Sequence, residues 1–152
     1  MFASIISSFL VKPKEGRLAQ ALHRGTYAAA ILTAVSVYFL SQRMFEGAEN
    51  PIGPFVSVVI GLIVGILVGQ ISEWFTSDHY SIVKGIADQA KTGPATVVLS
   101  GIAEGMRSAA LSVVVVAIGI GGAYWAGNWG LGDGGGIYGV AIAAIGVLAT
   151  LG

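Results

Sequence analysis

The sequence predicts an all-α fold, a polytopic bundle of transmembrane helices, and three observations predict it. Of the 152 residues, 55% are hydrophobic and only 11% are charged, where a soluble domain carries about a quarter charged residues. The charges are also clustered, which leaves Met1–Val11, Gly25–Gln42, Asn50–Ser72, Ser108–Gly132 and Gly134–Gly152 free of Asp, Glu, Lys and Arg. Four of these stretches meet or approach the roughly 20 residues that cross about 30 Å of hydrocarbon at 1.5 Å per residue. Finally, the in/out alternation of a barrel strand is absent, and backbone groups in lipid must be satisfied within the protein, so the spans are helices.

Taken in order, the expected elements are a partial helix over 1–11, a polar turn from Lys12 to Arg24, and helices over 25–43, 54–75, 94–125 and 137–152, the last also partial, all in one transmembrane region covering 1–152. Asn50-Pro51 and Gly53-Pro54 end one helix and open the next. Thr92-Gly93-Pro94 places Pro in the first turn of another, and Gly127 to Gly136 is read as too Gly-rich for a regular helix. A secretory signal has its basic residues before the apolar run, but here Lys12 and Lys14 follow Met1–Val11. Gly134–Gly152 likewise stops inside an apolar run with no anchoring Lys, Arg or aromatic residue after Leu151. Both ends are therefore expected to fall within helices of a longer protein, with a small complete membrane protein as the alternative.

Orientation follows from the connections. Lys12, Lys14, Arg17, Arg24, Lys84 and Lys91 fall on one side and Arg43 alone on the other, so 12–24 and 76–93 are expected in the cytoplasm and 44–53 and 126–136 outside. Trp74 would mark the inner interface, and Trp125 and Trp129 the outer one. Formal net charge is zero, which provides no basic field for nucleic acid, and with no Cys there is neither a disulfide framework nor a thiol metal site.

Few residues invite chemistry. Ser57, Gly61, Gly65 and Gly69 recur every four positions, with Glu73 next in the series, and Gly101, Gly105 and Ala109 form a second stripe. Such stripes let helix backbones approach closely, and a tight seam is the favoured reading over a pore lining. Glu104 and Arg107 are spaced to pair on one helical surface. If their helix enters the bilayer near Pro94 they lie near the midplane, where ionisable groups are usually functional. If Ser108–Gly132 does the spanning they form an interfacial pair, which that run's length favours.

Ile82, Val83, Ile86 and Ala87 at helical spacing predict a short amphipathic helix between the spans. Asp78 and His79 beside it have no further ligand partners, so a solvated segment is expected rather than a metal or acid–base site. His23 is read as interfacial, and Gly130–Gly136 lacks the strand and Lys of a phosphate cradle. No catalytic, cofactor-binding or metal-ligating residue is assigned.

Three stretches carry a family resemblance. Glu73-Trp74-Phe75-Thr76, then Thr92-Gly93-Pro94-Ala95-Thr96 leading into Gly101-Ile102-Ala103, then Ile137-Tyr138-Gly139-Val140-Ala141-Ile142-Ala143-Ala144 resemble, in that order, segments of the ion-pumping membrane pyrophosphatases. Ser4 to Val11 is a weaker match. Val97 departs from the family's common Asn, and Ser112 from its frequent Pro.

The resemblance implies a fragment of a sixteen-helix, two-ring pump, running from the end of the seventh helix into the eleventh and mostly in the outer ring. It also implies a parent enzyme that hydrolyses cytoplasmic pyrophosphate with Mg²⁺, with K⁺ as a further cofactor to be tested, and moves H⁺ or Na⁺ outward. The implied partners are the lipid bilayer, the remaining helices of the parent chain and a second copy in a homodimer, with multi-pass placement in the cell inner membrane. The family's ligand-bearing Asp and Lys motifs have no counterpart among these residues, so the fragment alone is expected to be inactive. An oligomeric small membrane protein and a scaffold piece of an unrelated transporter are the competing readings.

Overall fold

A computed structural model of the protein describes residues 18–44, 50 and 52–151. The helix expected over 1–11 and the first part of the expected turn lie outside the described residues. Among the described residues there is no strand. The helices are α1 (Leu18–Met44), α2 (Ile52–Thr76), α3 (Ser81–Asp88), α4 (Pro94–Leu131) and α5 (Gly135–Leu151), with a 3-10 turn, Gln89–Lys91, before α4.

Two boundaries correct the expectation. Residues 18–24 are helical rather than part of a polar turn, because Leu18, Ala19, Gln20, Ala21 and Leu22 are good helix formers with no Pro or Gly among them. The helix expected to stop at 125 runs on to Leu131. Gly127 and Gly130 do not loosen it, because they sit against α5 and α2 respectively.

The α2 and α4 helices are long and apolar enough to cross a membrane, and α5 is apolar but shorter. The α1 helix is more polar, with Ser41, Gln42 and Arg43 in its last turn. Outward faces are apolar, with Ile63, Ile118, Ile145 and Leu148 each more than half exposed, as expected where lipid or other apolar helices cover the surface.

The described residues form two compact units. Leu67–Ile118 is one, and the other combines the chain up to Ile66 with Gly119 onward. In the latter, Ala30 of α1 and Val58 and Leu62 of α2 make a buried cluster, flanked by Ala34, Ile142 and Ala149. Tyr38 meets Phe55 edge-on at 5.4 Å, so α1 and α2 run antiparallel.

The tightest contacts involve almost no side chains. A Cβ on Gly53 would overlap the Gly130 backbone, one on Gly61 would overlap the Ala143 carbonyl, and one on Gly127 would overlap the Gly135 carbonyl. A Cβ on Gly139 would stand 2.5 Å from the Ala123 oxygen. Glycine is thus required where α2, α4 and α5 converge, α4 running against the other two. Ser57 is fully buried at this node, and its Oγ donates to the Gly53 carbonyl at 3.2 Å or the Ala123 carbonyl at 3.3 Å. That is the interhelical hydroxyl bond expected where lipid removes the hydrophobic drive between helices.

Helix ends leave donors and acceptors without intrahelical partners, and two asparagines supply them here. The Asn50 N–H donates to the Gly130 carbonyl at 3.1 Å, while its own carbonyl accepts from the Gly53 N–H at 3.1 Å. Asn128 Oδ1 accepts from the Gly136 N–H at 2.7 Å, which caps α5 from the end of α4. The connection between them is only Gly132-Asp133-Gly134, made possible by φ of 75° and 97° at its two glycines.

The seam runs Gly53, Ser57, Gly61, Gly65 and ends there, since Gly69 has nothing within 4 Å of a Cβ. Gly61→Ala should therefore cost on the order of 1–3 kcal/mol through forced helix displacement. Gly69→Ala should be neutral or stabilising by up to about 1 kcal/mol through helix propensity. Reversible unfolding of the intact protein in mixed micelles measures both, and equal effects at the two positions would refute the seam's extent.

Candidate functional site

Within Leu67–Ile118, α2 closes with the Thr76 hydroxyl donating to the Ser72 carbonyl at 2.7 Å and the Ser77 N–H to the Glu73 carbonyl at 2.8 Å. Tyr80 is extended, and α3 starts after it. As its spacing predicts, α3 is amphipathic, with Ile82, Val83 and Ile86 half-buried and Ser81, Lys84 and Asp88 exposed.

At the head of α4, Gly93 adopts φ 140° ahead of Pro94. The Thr96 hydroxyl donates to the Gly93 carbonyl at 2.7 Å, or to that of Gln89 at 3.0 Å, while Thr92 Oγ1 reaches Gln89 O at 2.7 Å. The string Thr92-Gly93-Pro94-Ala95-Thr96 thus joins the 3-10 turn to α4: Gly makes the turn, Pro supplies the first helical residue, and the hydroxyls donate to the carbonyls of Gln89 and Gly93.

The charged residues of this connection form exposed pairs. Asp78 and His79 approach to 3.9 Å with both side chains 88% exposed. Lys91 pairs with Asp88 at 2.8 Å, also in solvent. Among the described residues no three of His, Cys, Asp and Glu come together in a way that could hold a metal. Asp133 sits in the α4–α5 turn, and the side chain of His23 lies outside the described residues.

One charged pair has a defined setting. Arg107 Nη1 donates to Glu104 Oε1 at 3.0 Å, with the Arg side chain 73% exposed and the Glu side chain 23% exposed. Glu104 Oε2 is buried without a hydrogen-bond partner. The pair lines an open recess of about 650 Å³, together with Trp74 and Phe75 from the last turn of α2, Ile82 of α3, and Leu111 and Val114 further along α4.

This arrangement decides the depth of the pair. Trp74 and Phe75 follow the charge-free run Asn50–Ser72, so they mark where that span leaves the bilayer. Glu104 and Arg107 stand beside that end rather than beside its middle, which is the interfacial alternative. A 38-residue helix is also about 57 Å long, far more than a bilayer core needs.

The second small-residue stripe behaves differently from the first. Gly101 and Gly105 have nothing within 4 Å of a Cβ, so no seam forms on them among the described residues. Gly53, Gly127, Gly130 and Gly139, with Asn50 and Asn128, position helices here, where the sequence marks Asn50 and Gly53 only as a helix boundary and Gly127 to Gly136 only as a Gly-rich break. The signal was present, since Ala123 and Gly127, and then Gly135, Gly139 and Ala143, keep the same four-residue spacing as the recognised stripe.

Comparison with known proteins extends over the whole chain. The family described as inorganic H⁺ pyrophosphatase matches residues 1–152. The chain is 38% identical over 151 residues to a putative K⁺-stimulated pyrophosphate-energized sodium pump of Clostridium tetani. It is 39% identical over 152 residues to a K⁺-insensitive pyrophosphate-energized proton pump of Moorella thermoacetica. A K⁺-insensitive proton pump of Methanosarcina mazei is 35% identical over 153 residues. These alignments take in 99–100% of this chain but 22% of each relative, so the chain spans about a fifth of their length.

An interfacial pair should be weakly coupled. Glu104→Ala in the intact protein should cost about 0.2–1 kcal/mol, against the roughly 3–5 kcal/mol expected for stranding a buried Arg. Unfolding midpoints in detergent check this, and a loss in the larger range would return the pair to the membrane interior.

Proposed function

Because the chain belongs to the inorganic H⁺ pyrophosphatase family, we propose that it forms part of the membrane scaffold of a pump that couples hydrolysis of cytoplasmic pyrophosphate to outward movement of H⁺ or Na⁺. The observation that carries this reading is the match over residues 1–152. The geometry supports a scaffold role, because α2, α4 and α5 are locked through backbone contacts. Relatives named as sodium and as proton pumps are equally similar to the chain, so the ion and the effect of K⁺ are properties the assay must read.

Mg²⁺ is the cofactor proposed for the whole pump. Glu73, Asp78, Asp88, Glu104 and Asp133 do not fit its site, since no three such groups lie together among the described residues. No chemical step is assigned to these residues.

The proposed placement is multi-pass in the cell inner membrane, with 12–24 and 76–93 cytoplasmic. Two observations support it. Lys and Arg favour those segments six to one over Arg43, and Asn50 bonds to Gly130, which brings together the two connections expected outside. For the homodimer, Val98, Leu99, Ile102 and Met106 of α4 offer apolar surface that this chain leaves exposed.

Sealed vesicles carrying the intact protein test the coupling. Addition of pyrophosphate with Mg²⁺, with and without K⁺, should drive uptake of H⁺ or of Na⁺ into inside-out vesicles, abolished by the matching ionophore. Hydrolysis with no ion movement, or neither, would overturn the pump. The isolated chain should show no saturable Mg²⁺-dependent pyrophosphate binding, and finding it would overturn the scaffold role.

A further inference from the structure

The recess beside Glu104 and Arg107 has the polarity of an amphiphile. At one end stands the Arg107 guanidinium, 73% exposed, with one of its N–H groups on Glu104 Oε1 and the others free of protein partners among the described residues. Guanidinium presents five donors in a planar fork suited to phosphate. From there the lining turns apolar along α4 through Leu111 to Val114, while Trp74 and Phe75 flank it from α2. The distance from Arg107 to Val114 is about 10 Å along the helix, the depth over which a bilayer passes from headgroup phosphate to upper acyl chain. Trp74, 47% exposed, is the residue type favoured at that boundary.

We propose that this recess is a binding site for a phospholipid of the cytoplasmic leaflet, its phosphodiester on Arg107 and the first part of an acyl chain along Leu111 and Val114. The guanidinium donors left open beside Glu104 and the polar-to-apolar order of the lining choose this occupant. A second apolar helix would cover Leu111 and Val114 but leave the guanidinium N–H groups not used by Glu104 without acceptors at the membrane surface. Glu104 is a positioning residue here: its Oε1 holds the Arg107 fork over the recess. The proposal does not depend on the pumping reaction, and either can fail without the other.

Photocrosslinking of the intact protein in nanodiscs tests it. A benzophenone amino acid in place of Val114 should yield, by intact mass, adducts of one phospholipid. In discs mixing phosphatidylglycerol with a neutral glycolipid of equal chain length, phospholipid adducts should exceed their bulk share several-fold. Arg107→Gln should return that ratio to the bulk share and Arg107→Lys should retain part of it, while a probe at Val113, outside the recess, should report the bulk share throughout. Crosslinks to a peptide of the same protein or of a second copy would overturn the proposal. So would adducts at the bulk share in the unsubstituted protein, a result that needs no variant to fold.

Discussion

The structure depends on the approach of three helix backbones with nothing but hydrogen between them. Gly53, Gly61, Gly127, Gly130 and Gly139 each face backbone atoms of a neighbouring helix so closely that a methyl group would collide. In lipid, apolar side chains are no better satisfied against one another than against the solvent, so helices are held by contact area, hydrogen bonds across the gap and lipid release. Ser57 shows the second of these, its hydroxyl buried beside the Ala123 carbonyl. The same closeness lets Asn50 and Asn128 reach across and finish the helix ends.

Against that rigid node, residues Leu67–Ile118 are built on different terms. There α3 is short and amphipathic, Gly101 and Gly105 have open space over them, and large apolar side chains of α4 such as Leu99 and Met106 are 69% and 70% exposed. A unit with so little internal cover is completed by what surrounds it. The recess at Arg107, by contrast, sets an exposed guanidinium beside an apolar lining.

Much of this was legible in the sequence, for identifiable reasons. Helices over 54–75 and 94–125 could be read because charge-free length and Pro at the first turn are local signals. The amphipathic α3 was legible from its period alone. The stretch 126–131 was misjudged because a glycine's helix penalty is calibrated in water, where an unfolded backbone can bond to solvent. In lipid that alternative is missing, and glycine continues the helix while giving its neighbour room. For Glu104 and Arg107 the length of Ser108–Gly132 favoured the interface, but nothing local to α4 says which part of a 38-residue helix lies opposite the end of α2.

The glycine node also has an entropic side. Burying a long side chain at a helix interface freezes rotamers at about 0.5–2 kcal/mol apiece, whereas glycine and alanine have none to lose. The surfaces of α2, α4 and α5 that meet at Gly53, Gly61, Gly127 and Gly139 are already in their bound form before they touch. Their association resembles two machined faces closing rather than a core annealing. It leaves a single register, because a slip by one residue in either direction would bring a side chain where only a hydrogen atom fits.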